Sequence, residues 1–256
     1  MSLREAPRPL DASEQLRGTD FKPPKLKGLF ERIYADAVRV NEENILSAIE
    51  RNPEAKLLDL GCDDGTWTKK LGAAAGTQRL YGVEIVEERL SRARENGVDA
   101  IHGDLAQPLA LSDASVDVIH ANQVIEHVPD LDLFASEMFR VLRPGGYVVV
   151  STENGSSWHN IAAAVLGWQI FSLTNLSSTR LGIGNPFAIQ RGNVLGHASW
   201  THKTIFNYRG LEEFLLAHGF EKPTILGAGY HPFPAAWGRW DVRHSHFITV
   251  KARKPA

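Results

Sequence analysis

The sequence predicts an α/β protein with a mostly parallel sheet of seven strands, and three observations carry this prediction. Short apolar segments alternate with helix-patterned segments between residues 56 and 151, as happens when helices connect parallel strands. An apolar strand runs directly into a glycine turn at residues 57–65. Near the end of the chain, the strand-like segments 222–228 and 245–251 have no helix-length segment between them. These two segments therefore predict an antiparallel pair that closes one edge of the sheet.

The elements of the sheet follow one another in a regular order. A helix or helix pair is expected before the first strand, because apolar residues recur at near-helical spacing between Leu29 and Ile49. The five parallel strands are predicted at residues 56–60, 79–84, 98–102, 116–120 and 146–151. Helices are predicted at residues 66–74, 87–96, 131–142 and 209–218. The sequence Arg-Pro-Gly-Gly at 143–146 is expected to break the chain between the third of these helices and the strand that follows.

The domain organisation is predicted to be one domain with two additions. Residues 1–27 are polar and rich in proline, which predicts a flexible N-terminal segment. The sheet and its helices occupy residues 28–154 and 197–256, and residues 155–196 interrupt them. The insertion contains the apolar run Ile161–Leu173, which is too short for the roughly 20 residues that span a bilayer. We expect a lid over a pocket, with a dimer element and peripheral membrane contact as alternatives. The protein is expected to be a monomer or a homodimer.

Composition and charge exclude several classes of function. A net charge of −2 with no long basic run predicts no nucleic-acid partner. The single cysteine, Cys62, allows neither an intrachain disulfide nor a cysteine-based metal cluster. No pair of histidines has metal-ligand spacing on a predicted helix facing the site, so no metal is expected. The charged, proline-rich N-terminus does not resemble a signal peptide, which predicts a cytoplasmic protein.

The glycine turn indicates what kind of ligand the sheet binds. Gly61 and Gly65 allow the backbone to turn sharply and to approach a nucleotide-like cofactor. Asp63 and Asp64 lie where a dinucleotide would place its pyrophosphate, and their charges would repel it. A ligand with a sulfonium and an ammonium group would tolerate them. The turn therefore favours S-adenosylmethionine (SAM), and an NAD-dependent oxidoreductase is the alternative.

Five segments, taken together and in order, resemble the class I SAM-dependent methyltransferases. They are LLDLGCDDG, GVEIVEERL, HGDL, VDVIHANQVIEHVPD and VLRPGGYVVVSTEN. The resemblance covers residues 45–152 through these motifs and residues 199–251 through the order of elements. It implies a Rossmann-like fold, SAM as the cofactor and S-adenosylhomocysteine (SAH) as its product. The middle glycine of the family's loop is Asp63 in this chain.

The resemblance also implies which residues contact the cofactor. Glu84 is expected to accept hydrogen bonds from both ribose hydroxyls, a role that suits the two acceptor oxygens of a carboxylate. Asp104 is expected near the adenine amino group, although a turn-forming role is the alternative. Asp59 could instead hold only the amides of the loop. The complete predicted set is Asp59, Gly61, Cys62, Asp63, Gly65, Glu84, Ile85, Gly103, Asp104, Leu105, Asn122 and Gln123.

The acceptor is expected at the same edge of the sheet, next to the cofactor. Open α/β sheets bind their ligands at the carboxyl ends of the strands. The predicted acceptor pocket consists of Glu153, Asn154, Trp158, Trp168 and Phe171.

Methyl transfer needs chiefly alignment of the acceptor with the methyl group, and a base would assist a hydroxyl acceptor. The candidate bases are His159 and His127, with a structural role open for His127.

The predicted function is methylation, at oxygen, of a small-molecule or glycan-linked acceptor. The glycan part rests on a looser resemblance of residues 182–203 to methyltransferases of sugar and cell-surface glycan biosynthesis. A non-catalytic partner subunit with the same fold is a further alternative.

Overall fold

The computed structural model describes residues 25–194 and 197–256. Its single sheet has the strand order β3-β2-β1-β4-β5-β7-β6. The strands are β1 (Leu57–Leu60), β2 (Leu80–Glu84), β3 (Asp99–His102), β4 (Val116–Asn122), β5 (Leu142–Glu153), β6 (Glu221–Ala228) and β7 (Phe247–Arg253). The helices are α1 (Lys27–Ala48), α2 (Thr66–Ala75), α3 (Glu87–Glu95), α4 (Leu131–Val141), α5 (Trp158–Val165) and α6 (Tyr208–Ala217).

The pairing of the strands confirms the predicted sheet. Strands β1 to β5 pair in parallel, whereas β7 runs antiparallel to both β5 and β6. This pattern is the Rossmann-like fold of class I methyltransferases, with the expected antiparallel pair at its edge.

Helices cover both faces of the sheet, and β1 shows how the sequence achieves this. Successive side chains of a strand point to opposite faces. Leu58 and Leu60 are buried in one core with residues of α4 and α6. Leu57 is buried in the other core with residues of α1, α2 and α3. An apolar strand with two buried faces is typical of a parallel sheet.

The predicted boundary between the third helix and the fifth strand was wrong. The fifth strand begins at Leu142, where the sequence predicted the end of a helix. Leu142 pairs with Val116, and the register shifts before Tyr147 pairs with Val118. The Arg-Pro-Gly-Gly sequence therefore lies inside the strand as an irregularity, and Gly145 adopts a left-handed φ of 75° there. At the N-terminus, one continuous helix of 22 residues confirms the first of the two predicted alternatives, a single helix rather than a helix pair.

Within the insertion, the described residues 155–194 form one short α-helix, α5, and a 3-10 turn at Phe171–Leu173. Its apolar run does not form a single helix, because α5 ends at Val165 and Gly167 takes a left-handed φ of 72°. Among the described residues, no helix is both long and apolar enough to cross a membrane. The predicted flexible segment at 1–27 lies almost wholly outside the described residues, and α1 begins at its last residue.

Candidate active site

Two cavities meet at the carboxyl edge of the parallel strands. The smaller has a volume of about 420 Å³ and the larger about 930 Å³. Gln123, His127 and Trp200 line both of them. Ligands of open α/β sheets bind at this edge, so the two cavities together form a candidate two-ligand site.

The glycine turn after β1 forms one side of the smaller cavity. Gly61 lines the cavity with a left-handed φ of 72°, and a Cβ atom at this position would lie 2.7 Å from Cγ2 of Val124. Both the backbone conformation and the close approach therefore require glycine. The turn leaves room for a ligand against the main chain.

Glu84 ends β2 and connects that strand to the turn. Its Oε1 accepts hydrogen bonds from the backbone amides of Ile85 (2.9 Å) and Val86 (2.8 Å). Its Oε2 accepts one from the amide of Asp63 (3.1 Å). Glu84 also lines the smaller cavity, although only 8% of its surface is exposed. The carboxylate thus fixes the shape of the turn and faces the ligand space.

Asp63 lines the same cavity, but its charge is compensated. Its carboxylate forms an ion pair with Arg89, and the Arg89 guanidinium lies 5.4 Å from the ring centroid of Trp200. From the sequence, the charge of Asp63 was expected to repel a pyrophosphate. Arg89, which sequence reasoning missed, reduces that repulsion.

The far end of the smaller cavity is lined by the predicted residues that follow β2 and β3. These residues are Ile85, Gly103, Asp104 and Leu105. Oδ1 of Asp104 accepts a hydrogen bond from the amide of Ala106 (2.9 Å). Asp104 therefore stabilises the turn, which was the alternative role predicted for it. It also lines the smaller cavity, which a contact with adenine would require.

Three residues of the predicted cofactor set line neither cavity. Asp59 is 2% exposed, and its carboxylate accepts a hydrogen bond from Oγ1 of Thr68 (2.5 Å) and contacts Nδ1 of His120 (2.7 Å). Cys62 is buried in the core, and burial raises the pKa of its thiol to about 12. Gly65 precedes α2, where a Cβ would lie 3.1 Å from Cα of Ala93. These three residues therefore support the glycine turn without lining either cavity.

Gln123 occupies the junction of the two cavities in a strained conformation. Its φ of 56° lies in the left-handed region, which non-glycine residues seldom adopt. Its side-chain Nε2 is buried and has no hydrogen-bond partner among the described residues. Buried donors are nearly always paired, so this amide is a candidate ligand contact. Asn122, which precedes it, lines the smaller cavity and accepts a long hydrogen bond from Nδ2 of Asn41 (3.4 Å).

Aromatic side chains form much of the wall of the larger cavity. Trp158, Trp168, Phe171 and Glu153 line it, as predicted. Asn154 does not, because its amide donates to the backbone carbonyls of residues 243 and 245 (both 2.9 Å). Sequence reasoning missed the walls contributed by other segments, which include Phe30, Tyr34, His202, Tyr230, His231, Phe233 and His246.

His127 is held in one orientation at the junction. Its Nδ1 donates a hydrogen bond to the backbone carbonyl of Thr201 (3.1 Å). Burial, together with the neighbouring His202, lowers the pKa of His127 to about 4. The ring is therefore neutral at physiological pH, and its Nε2 can accept a hydrogen bond.

His159 lines only the larger cavity. Its ring centroid lies 4.9 Å from that of His231 and 4.6 Å from that of His246. Burial and these two histidines hold the pKa of His159 well below its usual range. Of the two predicted bases, only His127 is in a position to contact both ligands.

Residues 58–150 match the family model described as a methyltransferase domain. The chain therefore carries a methyltransferase domain over these residues. A Mycolicibacterium smegmatis protein named "Probable S-adenosylmethionine-dependent methyltransferase" is 46% identical over 100 residues, which cover 38% of each chain. The malonyl-[acyl-carrier protein] O-methyltransferase of Erwinia billingiae is 34% identical over 55% of this chain and 54% of its own length.

The fold of the methyltransferase domain is also found in solved structures. A Thermotoga maritima protein described as "SAM-dependent methyltransferase, possible histamine N-methyltransferase" aligns with a TM-score of 0.57 and 19% identity. The alignment covers 88% of this chain and 94% of that one. The chain spans about half or less of the length of the curated relatives named above. Since one name specifies oxygen and another nitrogen, these relatives do not define the methylated atom.

The cofactor of the methyltransferase domain is SAM, and the smaller cavity has the features that SAM requires. Gly61 opens the turn to the ligand, the Glu84 carboxylate reaches the cavity at the end of β2, and Gln123 has an unpaired amide at the junction. The family match and this fit favour SAM over the NAD-dependent alternative.

Proposed function

We propose that the protein transfers a methyl group from SAM to a hydroxyl oxygen of a bulky, largely apolar acceptor. The observation that carries the proposal is the junction at which Gln123, His127 and Trp200 line both cavities. A cofactor in the smaller cavity and an acceptor in the larger one would meet there. Holding two reactants in line is a large part of what an enzyme contributes to such a displacement.

The residues of the smaller cavity would hold the cofactor by its polar groups. SAM, when bound, supplies a methyl group activated by its sulfonium. Glu84 would accept hydrogen bonds from the ribose hydroxyls, Asp104 would lie near adenine, and Gln123 would donate its unpaired amide hydrogen. The remaining predicted contacts of Gly61, Asp63 and their neighbours are through the backbone of the turn.

His127 supports oxygen as the methylated atom. Its hydrogen bond to Thr201 leaves Nε2 unprotonated and able to accept the hydrogen of an acceptor hydroxyl. Because its pKa is about 4, the ring is a weak base whose main effect would be to orient the hydroxyl. We therefore propose His127, rather than His159, as the acceptor-facing residue.

The larger cavity supports an apolar acceptor. Its 930 Å³ lies near the upper end of the roughly 300–1,000 Å³ of small-molecule sites. Four apolar residues of its wall are 40–59% exposed to solvent. They are Trp158, Leu166, Phe187 and Phe233. An acceptor with an apolar body or tail would cover these side chains, whereas a free sugar would not. A glycan-linked acceptor fits if its carrier is apolar.

The insertion would act as the lid of this cavity. Residues between 158 and 190 contribute about half of the wall, including Trp168 and Phe171. Aromatic side chains there would exclude water from the acceptor. Four glycines of the insertion have a left-handed φ and would serve as its hinges: Gly167, Gly182, Gly184 and Gly192.

The test is to follow labelled methyl groups from SAM into separated extracts of host cells. The protein, the His127→Ala variant and the His218→Ala control are each incubated with an organic-solvent extract and with an aqueous extract. His218 lines neither cavity, and its ring nitrogens contact the backbone carbonyl of Phe214 and the carboxylate of Asp132.

We expect label in an apolar product from the protein and the control, and at least a tenfold slower reaction from His127→Ala. Label confined to a polar product would contradict the apolar acceptor. SAM binding without label in either extract would favour the non-catalytic partner subunit.

A further inference from the structure

We propose that His159, His231 and His246 form a binding site for one divalent transition-metal ion of the zinc class. The three histidines come from separate segments of the chain: α5, the loop after β6, and the residue before β7. All three line the larger cavity. The proposal concerns metal binding by the protein itself and does not depend on the proposed methyl transfer.

The three rings are close enough to converge on one ion. Their centroids lie 4.5 to 4.9 Å apart, and one ring nitrogen from each lies within 4.8 Å of those of the other two. Three atoms at such separations have a common point no more than about 2.8 Å from each. Zinc binds histidine nitrogen at about 2.0–2.1 Å. Each nitrogen would therefore move by less than about 1 Å to reach a bonding distance.

Several ring nitrogens of this cluster have no hydrogen bond to another described residue. Nδ1 and Nε2 of His246 and Nε2 of His231 are buried and have no hydrogen bond among the described residues. Leaving a buried polar atom unpaired costs about 1–3 kcal/mol. Nε2 of His159 has only a long contact of 3.4 Å with Oγ of Ser157. A bound ion would accept one lone pair from each ring and remove part of this cost.

A buried carboxylate lies beside the cluster and supplies compensating charge. Oε1 of Glu153 is 3.8 Å from Nε2 of His246. The Glu153 side chain is only 16% exposed, so its carboxylate faces the cluster rather than bulk water. It could act as a fourth ligand or orient His246 from behind, as carboxylates commonly do at zinc sites.

The donor set indicates the class of metal. Imidazole ligands suit zinc, cobalt, nickel and copper, whereas magnesium and calcium prefer sites of oxygen donors. Three histidines and a flanking carboxylate therefore predict a zinc-class ion. The sequence predicted no metal because none of its histidine pairs has ligand spacing on a predicted helix, and this cluster forms only when three distant segments pack together.

The test measures metal binding to the full chain after removal of metals by a chelator. Co²⁺ is titrated while its visible absorption is followed, because the intensity and position of its absorption bands depend on the number of ligands bound. Zn²⁺ competition then gives the affinity for zinc, and Mg²⁺ serves as the negative ion. The variants are His231→Ala and His159→Phe, the second of which keeps an aromatic ring in the cluster.

His218→Ala is the control for a histidine outside the site. His202→Ala is a second control, because His202, His127 and Glu126 form another group of possible ligands. Circular dichroism and calorimetry with SAH are recorded on every sample, so loss of the fold or of cofactor binding is detected separately.

We expect one equivalent of Co²⁺ with the spectrum of a four- or five-coordinate ion, displaced by Zn²⁺ and not by Mg²⁺. Both cluster variants should lose more than about tenfold in affinity, and both controls should retain it. Absence of a one-to-one complex would overturn the proposal. Binding that survives in a folded cluster variant, or that is lost in His202→Ala alone, would also overturn it.

Discussion

Replacement of Glu84 separates two roles that the structure assigns to one carboxylate. Its oxygens accept three backbone hydrogen bonds, which join the end of β2 to the glycine turn. The same side chain lines the smaller cavity, where we propose that it binds the ribose hydroxyls. Glu84→Ala removes both sets of interactions. Glu84→Gln keeps one acceptor oxygen but places an amide N–H group opposite the N–H of Asp63.

The expected loss follows from the number and type of these hydrogen bonds. Bonds to a charged group are worth about 1.5–3 kcal/mol each, and part of that loss falls on the stability of the turn rather than on binding. We therefore expect SAH affinity to fall by about 1–3 kcal/mol in Glu84→Ala, which is roughly 5- to 150-fold. The Gln variant should lose nearly as much SAH affinity, because its amide N–H group would face the backbone N–H group of Asp63. Exposed Glu87, at the start of α3, provides the matched control Glu87→Ala.

Calorimetry with SAH and with its 2′-deoxy analogue distinguishes direct contact from support of the turn. In the unmodified protein, removing the hydroxyl should weaken binding. In Glu84→Ala, the same removal should cost much less, because its partner is already gone. If removing the 2′-hydroxyl weakens binding equally in the variant and in the unmodified protein, Glu84 does not bind the ribose and acts only on the turn.

Three further predictions address the lid, the turn and a buried carboxyl group. Trp168→Ala with Phe171→Ala should reduce turnover of the acceptor while SAH affinity changes by less than about threefold, or roughly 0.65 kcal/mol; a large loss of SAH affinity would instead place the insertion in the cofactor site. Asp63→Gly should retain SAH binding, because glycine suits its φ of 50° and the exposed pair with Arg89 is worth only about 0–1 kcal/mol; complete loss of binding would make the side chain a direct ligand. Burial raises the pKa of the Glu126 carboxyl group to about 8 in the folded protein, compared with about 4.5 in the unfolded chain. The free energy of unfolding is therefore highest below pH 4.5 and declines by about 1.4 kcal/mol per pH unit as the pH rises toward 8. Glu126→Gln should remove this decline in urea unfolding at pH 5, 6.5 and 8, and parallel pH curves for the two proteins would refute the assignment.

The cofactor side of the site could be predicted because its residues follow strand ends in the sequence. Gly61 and Glu84 each occupy the position at which a parallel strand leaves the sheet, so a local pattern identifies them. The same pattern does not tell which neighbours face the ligand. Asp59 and Cys62 belong to the motif, yet one contacts α2 and the other packs in the core. Side-chain direction depends on strand register and helix packing, which the motif does not encode.

The acceptor side could be predicted only in part, because distant segments form it. Trp158, Trp168 and Phe171 could be found, since they follow β5 in an insertion of unusual composition. Tyr34, His231 and His246 could not, because nothing in their local sequence places α1 and the ends of β6 and β7 around the same cavity. Residue 246 belongs to a segment predicted as a strand at the edge of the sheet, and only the fold brings His246 against His159.

A crystal structure of the protein with SAH bound tests the central claim, that the two cavities are the cofactor and acceptor halves of one active site. We predict that the ribose lies against Glu84 in the smaller cavity. We also predict that the sulfur lies at the junction lined by Gln123, His127 and Trp200, with its open side toward the larger cavity. SAH bound outside the smaller cavity, or with its sulfur directed away from the junction, would contradict the account.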